Sequence, residues 1–121
     1  MLGTPFHHQG RLPGAGLDCL GLVVCSLRQL GHKVTDETNY GRRGDGVRLI
    51  AALEEQGALT VTTINPGNLL VFRFGGMPQH LAIATADDQM IHAYAPVGKV
   101  VETSIGQAWQ SRLVAIYALG L

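Results

Sequence analysis

The sequence predicts an α+β domain in which an early helix is packed on an antiparallel sheet. Three observations carry that expectation. The residues after Asp18 keep a helical apolar spacing through Leu20, Val23, Val24, Leu27 and Leu30. Beyond residue 58 the period changes to short β-prone runs divided by turn residues. Helical segments come first and strands follow them, which is the order of an α+β chain rather than an alternating one. At 121 residues, 46% of them hydrophobic, the chain holds enough apolar material for one core, and residues 1–121 read as a single domain.

The elements follow in order. GRLPGAGLD is rich in glycine and proline and reads as an ordered loop that brings backbone close to a helix start. The first helix runs from about Asp18, a preferred N-cap type, to Leu30, and Gly31 stops it. HKVTDETNYGRRGDG is polar and turn-rich, a surface excursion in which Arg42 and Arg43 form a solvated face. A second helix spans about Asp45 to Gln56, with Asp45 as cap and Gly57 closing it. Ala58 to Thr63 is a short strand, Asn65-Pro66-Gly67 a turn, and Leu69 to Phe74 an apolar strand ended by Gly75-Gly76. His80 to Ala86 and Gln89 to Tyr94 form a hairpin about Asp87-Asp88, and Leu113 to Leu119 adds a last strand after Trp109.

Composition excludes several classes. Nine basic residues balance nine acidic ones, so no net field attracts nucleic acid or an anionic membrane. Apolar stretches such as LGLVV and LLVF are far shorter than the roughly 20 residues of a membrane span. The start, MLGTPFHHQG, lacks the basic-then-apolar pattern of a signal peptide. Cys19 and Cys25 lie six residues apart on one helix and point about 240° from each other, which excludes an ordinary bridge. Cys25 reads as core.

Cys19 opens two readings. A cysteine in an apolar run is usually a small buried hydrophobe. In the first turn of a helix, however, unpaired N–H groups and the dipole favour thiolate, and such a thiol is expected to ionise below the usual cysteine range. A thiol nucleophile also needs a base, and that base needs a group to orient it. His80 and His92 stand on the two strands of the predicted hairpin. A plain two-residue turn would put them on opposite faces, whereas a longer loop or a bulge puts them on one face, and the latter is expected. On that face Ala82 and Ala84 are small enough for a helix to pack closely, and the helix expected there is the one that begins at Cys19. The alternative use of five histidines, a metal site, lacks any H-x-x-x-H or H-E-x-x-H spacing.

GLDCLGLV resembles the D-C-x-G-L-V signature around the nucleophile of the NlpC-type cell-wall cysteine peptidases. NPGNLLVFRF followed by HLAIAT resembles that family's turn, strand and H-x-A-I strand, and MIHAY resembles the strand bearing its third polar residue. GTPFHHQGRLPGAGLDC is similar to the branch associated with bacteriophage tails. The resemblance spans nearly the whole chain. It implies a papain-like fold, Cys19 as nucleophile, His80 as general base and acid, and His92 orienting His80, with backbone N–H groups at the helix start holding the oxyanion. The reaction implied is hydrolysis of amide bonds in peptidoglycan stem peptides, next to D-glutamate, with no metal or organic cofactor. Phe6 stands where many relatives carry tyrosine, and Asn68 where an acidic residue is common, for which only a turn effect is expected.

The expected partners are a peptidoglycan stem peptide and other phage tail proteins, with no nucleic acid and no membrane insertion. The expected setting is a virion tail, or the bacterial cytoplasm before assembly, with action on the cell wall. The alternative is a non-catalytic tail-assembly or wall-binding module on the same fold.

Overall fold

A computed structural model describes residues 1–29, 51, 54–55, 57, 59–74 and 77–118. Two short strands, β1 (Arg11–Leu12) and β2 (Gly16–Leu17), pair antiparallel ahead of helix α1 (Cys19–Gln29). The other strands are β3 (Leu59–Val61), β4 (Leu69–Phe74), β5 (Met77–Ala86), β6 (Gln89–Tyr94), β7 (Lys99–Ser104) and β8 (Leu113–Ala118), with helix α2 (Gln107–Gln110) before the last. They form a sheet in the order β3-β8-β4-β5-β6-β7, antiparallel throughout. The predicted α+β arrangement is the observed one.

Helix α1 begins where the sequence places it, because Asp18 caps it. The Asp18 carbonyl accepts the first helical bond from Leu22 N–H (2.9 Å), and its carboxylate accepts the Gly21 N–H (2.8 Å). The same carboxylate pairs with Arg11 (3.0 Å) and accepts the Gln9 N–H (2.9 Å), so the cap also ties down the preceding loop. Gly21 is a glycine because the helix meets main chain there: a Cβ would drive into the carbonyl oxygen of Gly10. Gly10 in turn rests against the backbone of Gly16. Gly21→Ala would gain about 1 kcal/mol of helix propensity, but the obstacle is backbone and overpacking costs up to about 3 kcal/mol. The variant is therefore expected to lose about 2 kcal/mol in urea unfolding; a more stable variant would refute this packing.

The two sheet faces have different covers. Val23 and Leu27 of α1 pack with Leu69, Val71, Leu81 and Tyr117. Leu22 and Cys25 pack with Leu17, Ala93 and Val100, so Cys25 is core as expected. The opposite face gathers Leu70, Phe72, Ala82, Ala84, Met90, Ile105 and Ile116, with Trp109 against them. This corrects one expectation. Helix α1 lies on the side of Leu81, not on the alanine face, because the larger aliphatic side chains interlock with its valine and leucine rows while Ala82 and Ala84 leave room for Met90, Ile105 and Trp109.

Several boundaries also shift. Strand β5 starts at Met77 rather than His80, and β3 ends at Val61 rather than Thr63, with Ala58 outside the described residues. The β1–β2 pair, β7 and α2 were not expected. Of the second predicted helix, Ala51, Glu54 and Glu55 are described and helical, and Gly57 follows at φ +85°. The remainder of that helix, the polar excursion with Arg42 and Arg43, Gly31 and Gly75-Gly76 lie outside the described residues. The turn at Pro66-Gly67 forms as predicted, with Gly67 at φ +87° and Asn68 N–H bonded to the Asn65 carbonyl (3.0 Å). Asn68 also accepts the Asn65 N–H through its side chain (2.8 Å), a turn role.

Candidate active site

The hairpin of β5 and β6 sets the two histidines. Ala86 pairs with Gln89 across Asp87-Asp88, but the register then slips so that Ala84 faces Met90 and Ile83 faces Ile91. Thr85 is the extra residue of that bulge. The slip moves His80 and His92 onto one face, as the sequence requires for them to meet. Their rings do meet: His80 Nε2 and His92 Nδ1 are 2.8 Å apart. The other nitrogen of His92 lies 3.1 Å from Thr103 Oγ1 on β7.

Aromatic rings surround this pair. Phe74 and Trp109 stack on His80 with centroids 5.2 and 5.7 Å away, and Tyr94 stacks on His92 at 5.1 Å. Trp109 also meets His92 edge-on at 5.2 Å. His80 is 4% exposed and His92 0%. Loss of hydration lowers the His80 pKa from 6.5 to about 3, with the adjacent His92 acting in the same direction. His92, sealed from solvent but packed less deeply, is lowered to about 4 by the same loss of hydration. Both rings are therefore uncharged around neutral pH.

Cys19 occupies the first turn of α1 and packs beside the cluster that contains Leu81. Beyond Ile83 the β5–β6 ladder carries no further pairs among the described residues. In that stretch the Leu81 N–H donates toward the Cys19 sulfur, one residue from His80. The expected low thiol pKa is overturned. Burial pushes Cys19 from 9.0 up to about 11 and the Asp18 charge adds to the rise, outweighing the N–H groups of Leu81, Leu20 and Cys19 that favour thiolate. Part of the residue remains accessible, yet the sulfur lies deep enough for hydration loss to dominate. At rest the thiol in the first turn of α1 is neutral, and so is the imidazole pair on β5 and β6.

Among the described residues no three His, Cys, Asp or Glu converge to hold a metal ion, and no helix is long and apolar enough to cross a membrane. His7 is exposed and bonds the His8 carbonyl through Nδ1 (3.0 Å). Thr103 carries no local signal that marks it for the site, because KVVETS does not announce β7. Trp109 had one available signal, as the single tryptophan of the chain.

A helix that opens on cysteine and packs on an antiparallel sheet is the papain-like class of α+β fold. Within it the chain belongs to the NlpC/P60 family, whose family model matches residues 3–118. Among solved structures the fold is similar to the NlpC/p60 domain of the peptidoglycan hydrolase SagA, at 24% identity and TM-score 0.65, covering 97% of this chain and 88% of that one. It is also similar to the peptidoglycan hydrolase RipB from Mycobacterium tuberculosis, at 21% identity and TM-score 0.61, covering 98% of this chain and 58% of that one. The P60 domain of an antigen from M. avium subspecies paratuberculosis gives 22% identity and TM-score 0.52, covering 98% and 76%. A search of curated proteins finds no match.

Proposed function

We propose that the protein is a cysteine peptidase that hydrolyses amide bonds in peptidoglycan stem peptides, next to D-glutamate, with Cys19 as nucleophile, His80 as general base and acid, and His92 orienting His80. The observation that carries this reading is the buried bond between His80 Nε2 and His92 Nδ1 (2.8 Å), which occupies one ring nitrogen of His80 and leaves Nδ1 as the position that would take the thiol proton. Family membership and the two similar structures named as peptidoglycan hydrolases support the substrate class.

The chemistry follows from the resting charges. With the thiol at about 11 and the imidazole at about 3, a preformed ion pair is disfavoured, so the proton passes from sulfur to His80 as sulfur attacks the carbonyl carbon. Backbone N–H groups at the start of α1 receive the developing oxyanion. The intermediate collapses with cleavage of the C–N bond, and His80 returns the proton to the departing amine. Water, deprotonated by His80, then releases the acyl group from sulfur.

We place this activity in a phage tail that opens a local path through the wall, on the resemblance of GTPFHHQGRLPGAGLDC to that branch. A second reading, a wall-binding module without turnover, draws on the raised thiol pKa. Purified stem peptides incubated with the protein separate the two. Mass spectrometry is expected to find a new amino terminus after D-glutamate that Cys19→Ala does not generate. Binding without cleavage, or equal cleavage by both proteins, would overturn the peptidase reading.

A further inference from the structure

We propose that Thr103 is a positioning residue for the histidine pair, holding His92 in the tautomer that leaves His80 able to accept a proton from the thiol. The inference rests on the peptidase reading of His80 and extends it to a residue whose hydroxyl bonds His92 rather than His80. Strand register puts Thr103 in place: it faces Met90 in the β6–β7 ladder while His92 faces Val101, so Thr103 and His92 are diagonal neighbours on one face. Its hydroxyl lies 3.1 Å from His92 Nε2. As a β-branched side chain, threonine has few rotamers, and the oxygen is held with little freedom.

The hydrogen-bond order then follows link by link. For His80 Nδ1 to accept the thiol proton, the ring proton of His80 must sit on Nε2 and be donated to His92 Nδ1. His92 Nδ1 is then an acceptor, so the proton of His92 sits on Nε2. That N–H needs an acceptor, and among the described residues Thr103 Oγ1 is the one recorded within hydrogen-bond distance. Reversal of the chain, with Thr103 donating to His92 Nε2, would place a proton on His80 Nδ1 and remove the base. Because His92 is 0% exposed, water does not readily replace the hydroxyl. Without it, Nε2 is a buried polar atom with no acceptor, and the ring is free to turn away from His80.

Thr103→Val keeps the shape and removes the oxygen. It is expected to lower kcat on a stem peptide about tenfold, the kinetic weight of one hydrogen bond, with KM nearly unchanged. Thr103→Ser is expected to restore the rate. Nitrogen-15 shifts of the histidine rings give a readout independent of turnover. In the unaltered protein His92 is expected to carry its proton on Nε2, and in Thr103→Val its two ring nitrogens are expected to move toward averaged values. A proton on His92 Nδ1 in the unaltered protein would overturn the proposal, and so would unchanged ring shifts together with unchanged kcat in Thr103→Val. If the unaltered protein cuts no stem peptide but the ring shifts behave as stated, the peptidase reading fails while the role of Thr103 in ordering the pair stands.

Discussion

Cys19→Ser is expected to abolish measurable turnover of stem peptides, with kcat falling by about a thousandfold or more. The size of the loss follows from the state of His80. His80 is lowered to about 3, so it is a weak proton acceptor at rest, and a serine hydroxyl is a far weaker acid than even a thiol raised to about 11. Serine also lacks the intrinsic nucleophilicity and polarisability of sulfur. The fold should hardly change, because Asp18 caps the helix through its own carboxylate and the loop is braced on Gly21, neither of which uses the sulfur. Single-turnover assays with matched thermal unfolding curves test this. A serine variant that retained turnover would remove Cys19 from the chemistry.

Acid is expected to destabilise the protein already at pH 5. Both site histidines ionise near 6.5 in the unfolded chain and only at about 3 and about 4 when folded. Between those limits the unfolded state binds protons that the native state refuses. Their contribution to stability is therefore complete above pH 6.5 and is lost as pH falls toward the folded values. At pH 5 the loss is about 2 kcal/mol per histidine, or about 4 kcal/mol together, a large part of the 5–15 kcal/mol typical of a domain. Urea unfolding at pH 7 and pH 5 measures it directly. A His80→Gln, His92→Asn double variant should show a much flatter dependence, and a flat response in the unaltered protein would mean that the pair is not buried and neutral.

Much of this arrangement was legible in the residues, and what was not had physical causes. Asp18, Gly67 and the change of period past residue 58 are local signals, and each produced the expected element. The shared face of His80 and His92 was legible because only a slipped register lets them meet, and the bulge at Thr85 supplies it. The side on which α1 packs was misjudged because Ala82 and Ala84 look like a helix seat, while the ring that fills the space comes from Trp109, more than twenty residues further along. The thiol shift was misjudged for a similar reason. A helix start favours thiolate locally, but burial is a property of the folded whole, and at Cys19 it dominates. KVVETS, the stretch that became β7, carried too few large apolar residues to announce a strand, and Thr103 stayed hidden with it.

The contacts among Gly10, Gly16 and Gly21 bear on how such a protein can drift in sequence. Where polypeptide rests directly on polypeptide, the spacing is set by bond lengths and van der Waals radii rather than by whichever aliphatic groups fill the interior. Substitutions beneath the helix can then erode robustness without displacing the sulfur, whereas adding one methyl at that junction would shift the helix start and Cys19 with it.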